Sequence, residues 1–119
     1  MGQFSVRVGI AHPTQIERAA EVELLVDAGA TLSWVPREVL EPLDPPRLGR
    51  RSFLVADGPR VERETVGVIM RLDGTQGLLT VVVAEPGDGH LLGVTALETL
   101  GYAVDPIERR LVPHALLAM

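Results

Sequence analysis

Apolar and polar residues alternate along the first part of the chain and predict β-strands. Residues 4–10 place an apolar side chain at every second position, a period of two that is typical of a half-buried strand. The apolar runs 22–26 and 31–35 predict a second and a third strand. The charged segment 16–23 has no clear period, and its pattern leaves a helical turn and a solvated loop open.

Turn-forming residues divide the middle of the chain into further elements. Segment 36–40 begins with a proline and predicts a helical turn, whereas 43–49 predicts a proline-rich loop. The runs 51–56 and 60–73 flank the sequence DGP. Because Asp-Gly between two apolar runs is a strong hairpin signal, we predict two paired strands here.

A second tight turn is predicted at 73–77, where it joins 66–72 to 78–84. Segment 78–84 is almost wholly apolar. We therefore expect a central strand that is covered on both faces.

The C-terminal part combines short strands with one helix. Residues 91–92 predict a short buried strand, and the three-residue apolar spacing in 94–100 predicts a helix that ends at Gly101. The runs 103–105 and 110–112 bracket a further turn. The last six residues, HALLAM, leave a loose apolar tail and a docked turn open.

The composition favours one β-rich domain. The chain has 119 residues, of which 46% are hydrophobic and 3% aromatic, and this length suggests a single domain spanning 1–119. Valine and leucine dominate the apolar set, and valine favours strands. The 12 glycines and 9 prolines interrupt the chain often. We therefore predict an all-β domain and not a helix bundle.

Charge and cysteine content exclude several classes of function. The net charge is −5 with both signs interspersed, so the basic stripe of a nucleic-acid-binding protein is absent. The densest basic cluster, Arg47, Arg50 and Arg51, follows two prolines and predicts a solvated loop. The chain has no cysteine, which excludes disulfides and thiolate metal sites.

Localisation and cofactors are predicted from what the pattern lacks. The first residues, MGQFSVRVGI, do not have the order of a secretory signal, and no apolar run approaches the ~18 residues of a membrane helix. We expect a cytoplasmic protein with no membrane partner. His12, His90 and His114 are too scattered for a zinc site, so we expect no metal and no cofactor.

Asp27 is the candidate catalytic residue. It directly follows the apolar run 22–26 and precedes Ala28-Gly29-Ala30. A carboxylate after a strand is often a turn residue that accepts hydrogen bonds from backbone amides. The residue alone leaves both roles open for Asp27, a turn residue and a catalytic group. Four more aspartates fall in predicted turns: Asp57, Asp73, Asp88 and Asp105.

Three segments, in this order, resemble the retropepsin-like aspartic proteases, most of all their small stand-alone prokaryotic members. They are LLVDAGAT, FLVADGPRVE and HLLGVTALETLGYAVD: a strand ending in the aspartate, a glycine-bearing hairpin, and an apolar pair with glycine before a helix. The resemblance covers roughly residues 20–112. It implies a closed, mostly antiparallel β domain with a flap hairpin and one short C-terminal helix. It also implies a homodimer.

The resemblance further implies the chemistry and the site residues. One Asp27 from each chain activates water and polarises the peptide carbonyl, because this hydrolysis needs one carboxylate as base and one protonated carboxyl as donor. Two carboxylates about 3 Å apart share a proton and titrate as a pair. The substrate is a polypeptide held between flap and aspartate loop. The implied substrate-binding residues are Gly29, Ala30, Thr31, Asp57 and Gly58, and the implied structural residues are Ala28, Leu92 and Gly93.

The sequence departs from the family at Ala28. The family has threonine or serine there, and that hydroxyl hydrogen-bonds across the twofold axis. Because alanine has no hydroxyl, we expect dimerisation to be weaker by about 1–3 kcal/mol in total, with the carboxylate retained. Two alternatives stay open: a non-catalytic peptide-binding or dimerisation module on the same fold, and an amidase-like hydrolase on the same scaffold.

Two residues of the third predicted strand have simpler readings. Ser33 is predicted to lie on the polar face of the strand. A serine nucleophile is not expected, because the chain has no G-x-S-x-G sequence. Trp34 is predicted to pack in the core or at the edge of a dimer.

Overall fold

A computed structural model describes residues 3–55 and 57–114 of the chain. Within these residues it contains nine strands: β1 (Ser5–Ala11), β2 (Ala19–Val26), β3 (Ser33–Pro36), β4 (Arg47–Leu54), β5 (Arg60–Leu72), β6 (Thr75–Ala84), β7 (Leu91–Leu92), β8 (Tyr102–Asp105) and β9 (Arg110–Pro113). The described helices are α1 (Arg37–Leu40), a 3-10 turn (Glu41–Leu43) and α2 (Val94–Leu100). No helix in these ranges is long and apolar enough to cross a membrane.

Seven strands form one sheet that closes on itself. Their order is β1-β2-β7-β3-β6-β5-β4, and β1 also pairs with β5. The pairing of β1 with β5 closes a ring of six strands, while β4 lies outside the ring on the far edge of β5. The predicted all-β class is therefore confirmed.

The sheet is mixed and not purely antiparallel. Most pairs are antiparallel, but β2 pairs with β7 and β3 pairs with β6 in parallel. Parallel neighbours require a long connection instead of a tight hairpin. The connections here are long. The chain forms β4 and β5 between β3 and β6, and it forms β3 to β6 between β2 and β7.

Valine and leucine side chains from the inner face of the ring form the core. In β1, Val8 and Ile10 are buried, as the period of two predicts. In β6, residues 81–84 are all buried, but Leu78 is 67% exposed. The prediction that both faces of 78–84 are covered is thus wrong at Leu78 and holds for residues 81–84.

Two element boundaries differ from the predicted ones. The strand β4 begins at Arg47 and replaces the last three residues of the loop predicted at 43–49. Arg47, Arg50 and Arg51 therefore lie on a strand, although their side chains are exposed as predicted. The charged segment 16–23 also becomes strand from Ala19 onwards, since cross-strand pairing with β1 fixes a pattern that was locally ambiguous.

The C-terminal elements follow the predicted order. The helix α2 ends at Gly101, whose φ of 80° is the left-handed conformation that favours glycine. The strands β8 and β9 then pair as a separate two-stranded sheet. Two predicted features, the strand end at Ala56 and the tail at 115–119, lie outside the described residues.

Candidate active site

Asp27 lies where β2 ends and the chain turns. Its backbone N–H donates to the Leu92 carbonyl at 3.0 Å, which extends the parallel pairing of β2 with β7 by one step. The Asp27 carbonyl accepts from Ala30 N–H at 3.1 Å, and Oδ1 accepts from Gly29 N–H at 2.9 Å. These two bonds shape a tight turn around a half-buried carboxylate.

Gly93 allows the chain to cross directly beneath this turn. A Cβ at Gly93 would lie 2.6 Å from the Leu32 carbonyl oxygen and 2.8 Å from that of Ala30, distances that no side chain tolerates. The Gly93 N–H donates to the buried Ser33 Oγ at 2.9 Å. Ser33 is thus a structural residue of the site and not the polar face of a strand.

The start of α2 fixes the other end of the aspartate loop. The first backbone amides of a helix have no partner within the helix. Here Val94 N–H donates to the Ala30 carbonyl at 2.8 Å, and Thr95 N–H donates to the Thr31 carbonyl at 3.1 Å. The helix therefore orients the loop that carries the carboxylate.

A cleft of about 590 Å³ opens beside Asp27. One wall is the aspartate loop with Gly29, Ala30 and Thr31, three residues that the resemblance implies for substrate. Another wall is the hairpin of β4 with the first half of β5, which is the predicted flap and is called the flap hairpin below. Its cleft-lining residues are Ser52, Phe53, Leu54, Val55 and Val61.

The predicted flap residues Asp57 and Gly58 lie at the tip of this hairpin. Asp57 is exposed with a φ of 56°, and Gly58 N–H donates to the Val55 carbonyl at 3.2 Å. Neither Asp57 nor Gly58 lines the cleft beside Asp27. The flap strand, and not its turn, forms this wall of the cleft.

An aromatic contact holds the flap strand over the cleft. The rings of Trp34 and Phe53 meet edge-on, with centroids 5.2 Å apart and an interplanar angle of 65°. Trp34 is 8% exposed and packs with Val82 and Ala84, so its predicted place in the core is confirmed. Phe53 is the half-buried residue of β4, whose other residues are exposed, so this contact attaches the strand to the core in addition to its pairing with β5.

The third wall is the loop 85–89, which an ion pair attaches to the flap. Arg63 Nε and Nη2 donate to the two carboxylate oxygens of Asp88 at 2.7 and 2.9 Å. The Asp88 carboxylate also accepts from Glu85 N–H at 2.8 Å. The hydrogen bonds from Arg63 are the main reason that the pKa of Asp88 lies below its ordinary value.

A second arginine, Arg37, also binds the loop 85–89 through Glu85. Arg37 Nε donates to Glu85 at 3.1 Å, its Nη2 donates to the other oxygen of that carboxylate, and Glu64 lies 3.4 Å from the same nitrogen. The hydrogen bonds from Arg37 lower the pKa of Glu85. Sequence reasoning missed both pairs, since their partners lie 25 and 48 residues apart.

We expect acid to loosen this wall of the cleft. The folded-state pKa values of Asp88 and Glu85 lie below the ordinary 3.8 and 4.5. Their ion pairs therefore contribute fully above those ordinary values and are lost as pH falls through the lower folded-state values. Urea unfolding at about pH 6 and about pH 3 should show this loss, and Asp88→Asn should show a smaller one. An equal loss in both proteins would contradict the role of this pair.

His12 is buried, and its ring binds the backbone of the turn that follows β1. Its Nδ1 accepts from Thr14 N–H and from Gln15 N–H, both at 3.1 Å. In residues 3–55 and 57–114, no group of three or more histidine or acidic side chains is placed to hold a metal ion.

No protein-family model matches this chain, and no curated protein sequence matches it. The likeness to the retropepsin-like proteases therefore depends on the three sequence segments and on the arrangement of the residues that they contain.

Proposed function

We propose that the protein has the retropepsin-like fold and is an aspartic endopeptidase that acts as a homodimer. The observation that carries the proposal is the place of Asp27, on a tight turn above the Gly93 crossing and beside the cleft. The three segments of the resemblance thus come together around one carboxylate. A flap hairpin covers the same cleft, as such an enzyme needs to exclude water.

A single chain supplies only one carboxylate for this chemistry. Of the carboxylates of the described chain, only Asp27 and Asp88 line the cleft, and Asp88 is bound by Arg63. The second catalytic carboxylate therefore comes from another copy. A twofold axis near Asp27 brings the same residue from both chains together.

The reaction needs the two carboxyl groups in different protonation states. The ionised carboxylate takes a proton from a water molecule, whose oxygen attacks the peptide carbonyl carbon. The protonated carboxyl hydrogen-bonds to the carbonyl oxygen and stabilises the charge that develops there. Proton transfer to the amide nitrogen then lets the peptide C–N bond break.

The substrate is an extended polypeptide that lies between the flap and the aspartate loop. The strand β4 is the outermost strand of the sheet, so the backbone groups along its second edge face no strand of the described chain. A peptide can add to this edge through backbone hydrogen bonds. Such binding accepts many sequences, as a protease that cleaves unfolded chains requires.

A second candidate function is a non-catalytic peptide-binding or dimerisation module on the same fold. Ala28 favours it, because its exposed side chain has no hydroxyl to brace a partner. Incubation with an unfolded protein at about pH 4–6 separates the two candidates. The protease predicts cleavage. No cleavage at concentrations where sedimentation shows a dimer would contradict the protease and leave the module.

Substituting Ala28 by threonine should strengthen the dimer. Two symmetric hydrogen bonds from the new hydroxyls are expected to add about 1–3 kcal/mol to the free energy of dimerisation. Sedimentation equilibrium measures the change. Ala28→Val is the matched control, because valine has the shape of threonine without the hydroxyl. Equal dimerisation of both variants would contradict an interface at this turn.

A further inference from the structure

Arg51 lies on the face of the flap hairpin that is turned toward the cleft. In the pairing of β4 with β5, Arg51 is opposite Arg63 and Phe53 is opposite Val61. Opposite residues share a face of a sheet, and so do residues two apart on one strand. Phe53 packs on Trp34, and Arg63 binds Asp88, and both of these partners line the cleft. Arg51 therefore belongs to the face of the hairpin that is turned toward them, one step further along the strand.

The positive charge of Arg51 has no counterpart in the described chain. Arg63 is directly opposite, and like charges in that arrangement destabilise a sheet. Asp88 forms an ion pair with Arg63 and none with Arg51 in the described chain. No carboxylate of residues 3–55 or 57–114 lies within ion-pair distance of Arg51.

The neighbouring arginines of β4 differ in this respect. Arg47 pairs with Glu64, and Arg50 pairs with Glu62 on the opposite face of the hairpin. Arg50 also lies on the other face of the hairpin from Arg51, because successive side chains of a strand alternate between faces. Of the three arginines of β4, Arg51 is therefore the one that has no ion pair in the described chain.

A peptide added to the open edge of β4 would carry its side chains in the same alternation. The residue beside Phe53 and the residue beside Arg51 then lie two positions apart, about 6.8 Å along the strand. Both project to the cleft face. The first meets the apolar surface of Phe53, and the second meets the guanidinium.

We propose that Arg51 is a specificity-determining residue that selects polypeptides with a carboxylate side chain two positions from the residue placed beside Phe53. The inference rests on the proposed function, because it requires that the cleft holds an extended polypeptide. It adds the chemical class of the substrate, an acidic segment of chain, to that function.

Peptide binding to the Asp27→Asn variant tests the proposal without cleavage. Trp34 is the only tryptophan of the chain and contacts the flap strand, so its fluorescence reports binding of tryptophan-free peptides. The probes are extended peptides with a central leucine and either glutamate or lysine two positions before or after it. Glutamate peptides should bind about 2–5-fold more tightly than lysine peptides in one of the two orders.

Reversing the charge decides the assignment. Adding Arg51→Glu to this background should invert the preference toward lysine, whereas Arg50→Glu, on the opposite face, should leave it unchanged. Circular dichroism and thermal unfolding establish that each variant is folded. Binding without a charge preference, or a preference that Arg51→Glu does not change, would overturn this inference and leave the proposed function intact. No peptide binding at concentrations where the dimer forms would overturn both.

Discussion

Replacing Asp27 by asparagine is expected to abolish peptide cleavage and to leave the fold unchanged. The amide cannot take a proton from water, so kcat/KM should fall by about 10²–10⁴-fold, the usual contribution of a positioned acid–base group. Asparagine retains an oxygen that can accept from Gly29 N–H, the bond that shapes the turn. Cleavage assays with an unfolded protein measure the first effect, and urea unfolding measures the second.

Asp73→Asn is the matched control for this substitution. Asp73 is also an aspartate of a turn, but it is exposed with a φ of 49°, a conformation that asparagine adopts readily. Its substitution should leave both activity and stability unchanged. Residual cleavage by Asp27→Asn at the level of Asp73→Asn would rule out a catalytic role for Asp27.

Local patterns predicted most elements, because burial on one face imposes a period that sequence displays directly. The alternation in β1, the Asp-Gly turn of the flap and the glycine after α2 each have a local physical cause. The start of β4 has none. Pairing with β5 holds Arg47 and its neighbours in a strand, and no local pattern of the proline-rich segment indicates that pairing.

The candidate site could be predicted only in part for the same reason. Asp27 and Gly93 stand in recognisable segments, and the sheet brings them together through β2 and β7. The ion pair of Arg63 with Asp88 carries no sequence signal, since charged residues are frequent and either side chain could have faced solvent. The bond from Gly93 N–H to Ser33 joins residues 60 apart and is equally invisible to periodicity.

The substitution Gly93→Ala is expected to have the largest effect on stability. The new Cβ would lie 2.6 Å from the Leu32 carbonyl oxygen and 2.7 Å from its carbonyl carbon. These are backbone atoms and cannot rotate away as a side chain can, so the loop or β7 must shift. Overpacking of this kind costs about 3 kcal/mol, near the upper end of its usual range, and urea unfolding should show that loss.

Gly67→Ala supplies the comparison, because it adds the same methyl group to a buried glycine of a strand. A Cβ at Gly67 would meet only Leu48 Cδ1, at 3.7 Å, which is ordinary contact, so the free energy of unfolding should change by less than about 1 kcal/mol. Gly93→Ala should also reduce cleavage, since the loop it displaces carries Asp27. If Gly93→Ala were as stable as Gly67→Ala, the close approach of Gly93 to the Leu32 backbone beneath the carboxylate would be contradicted.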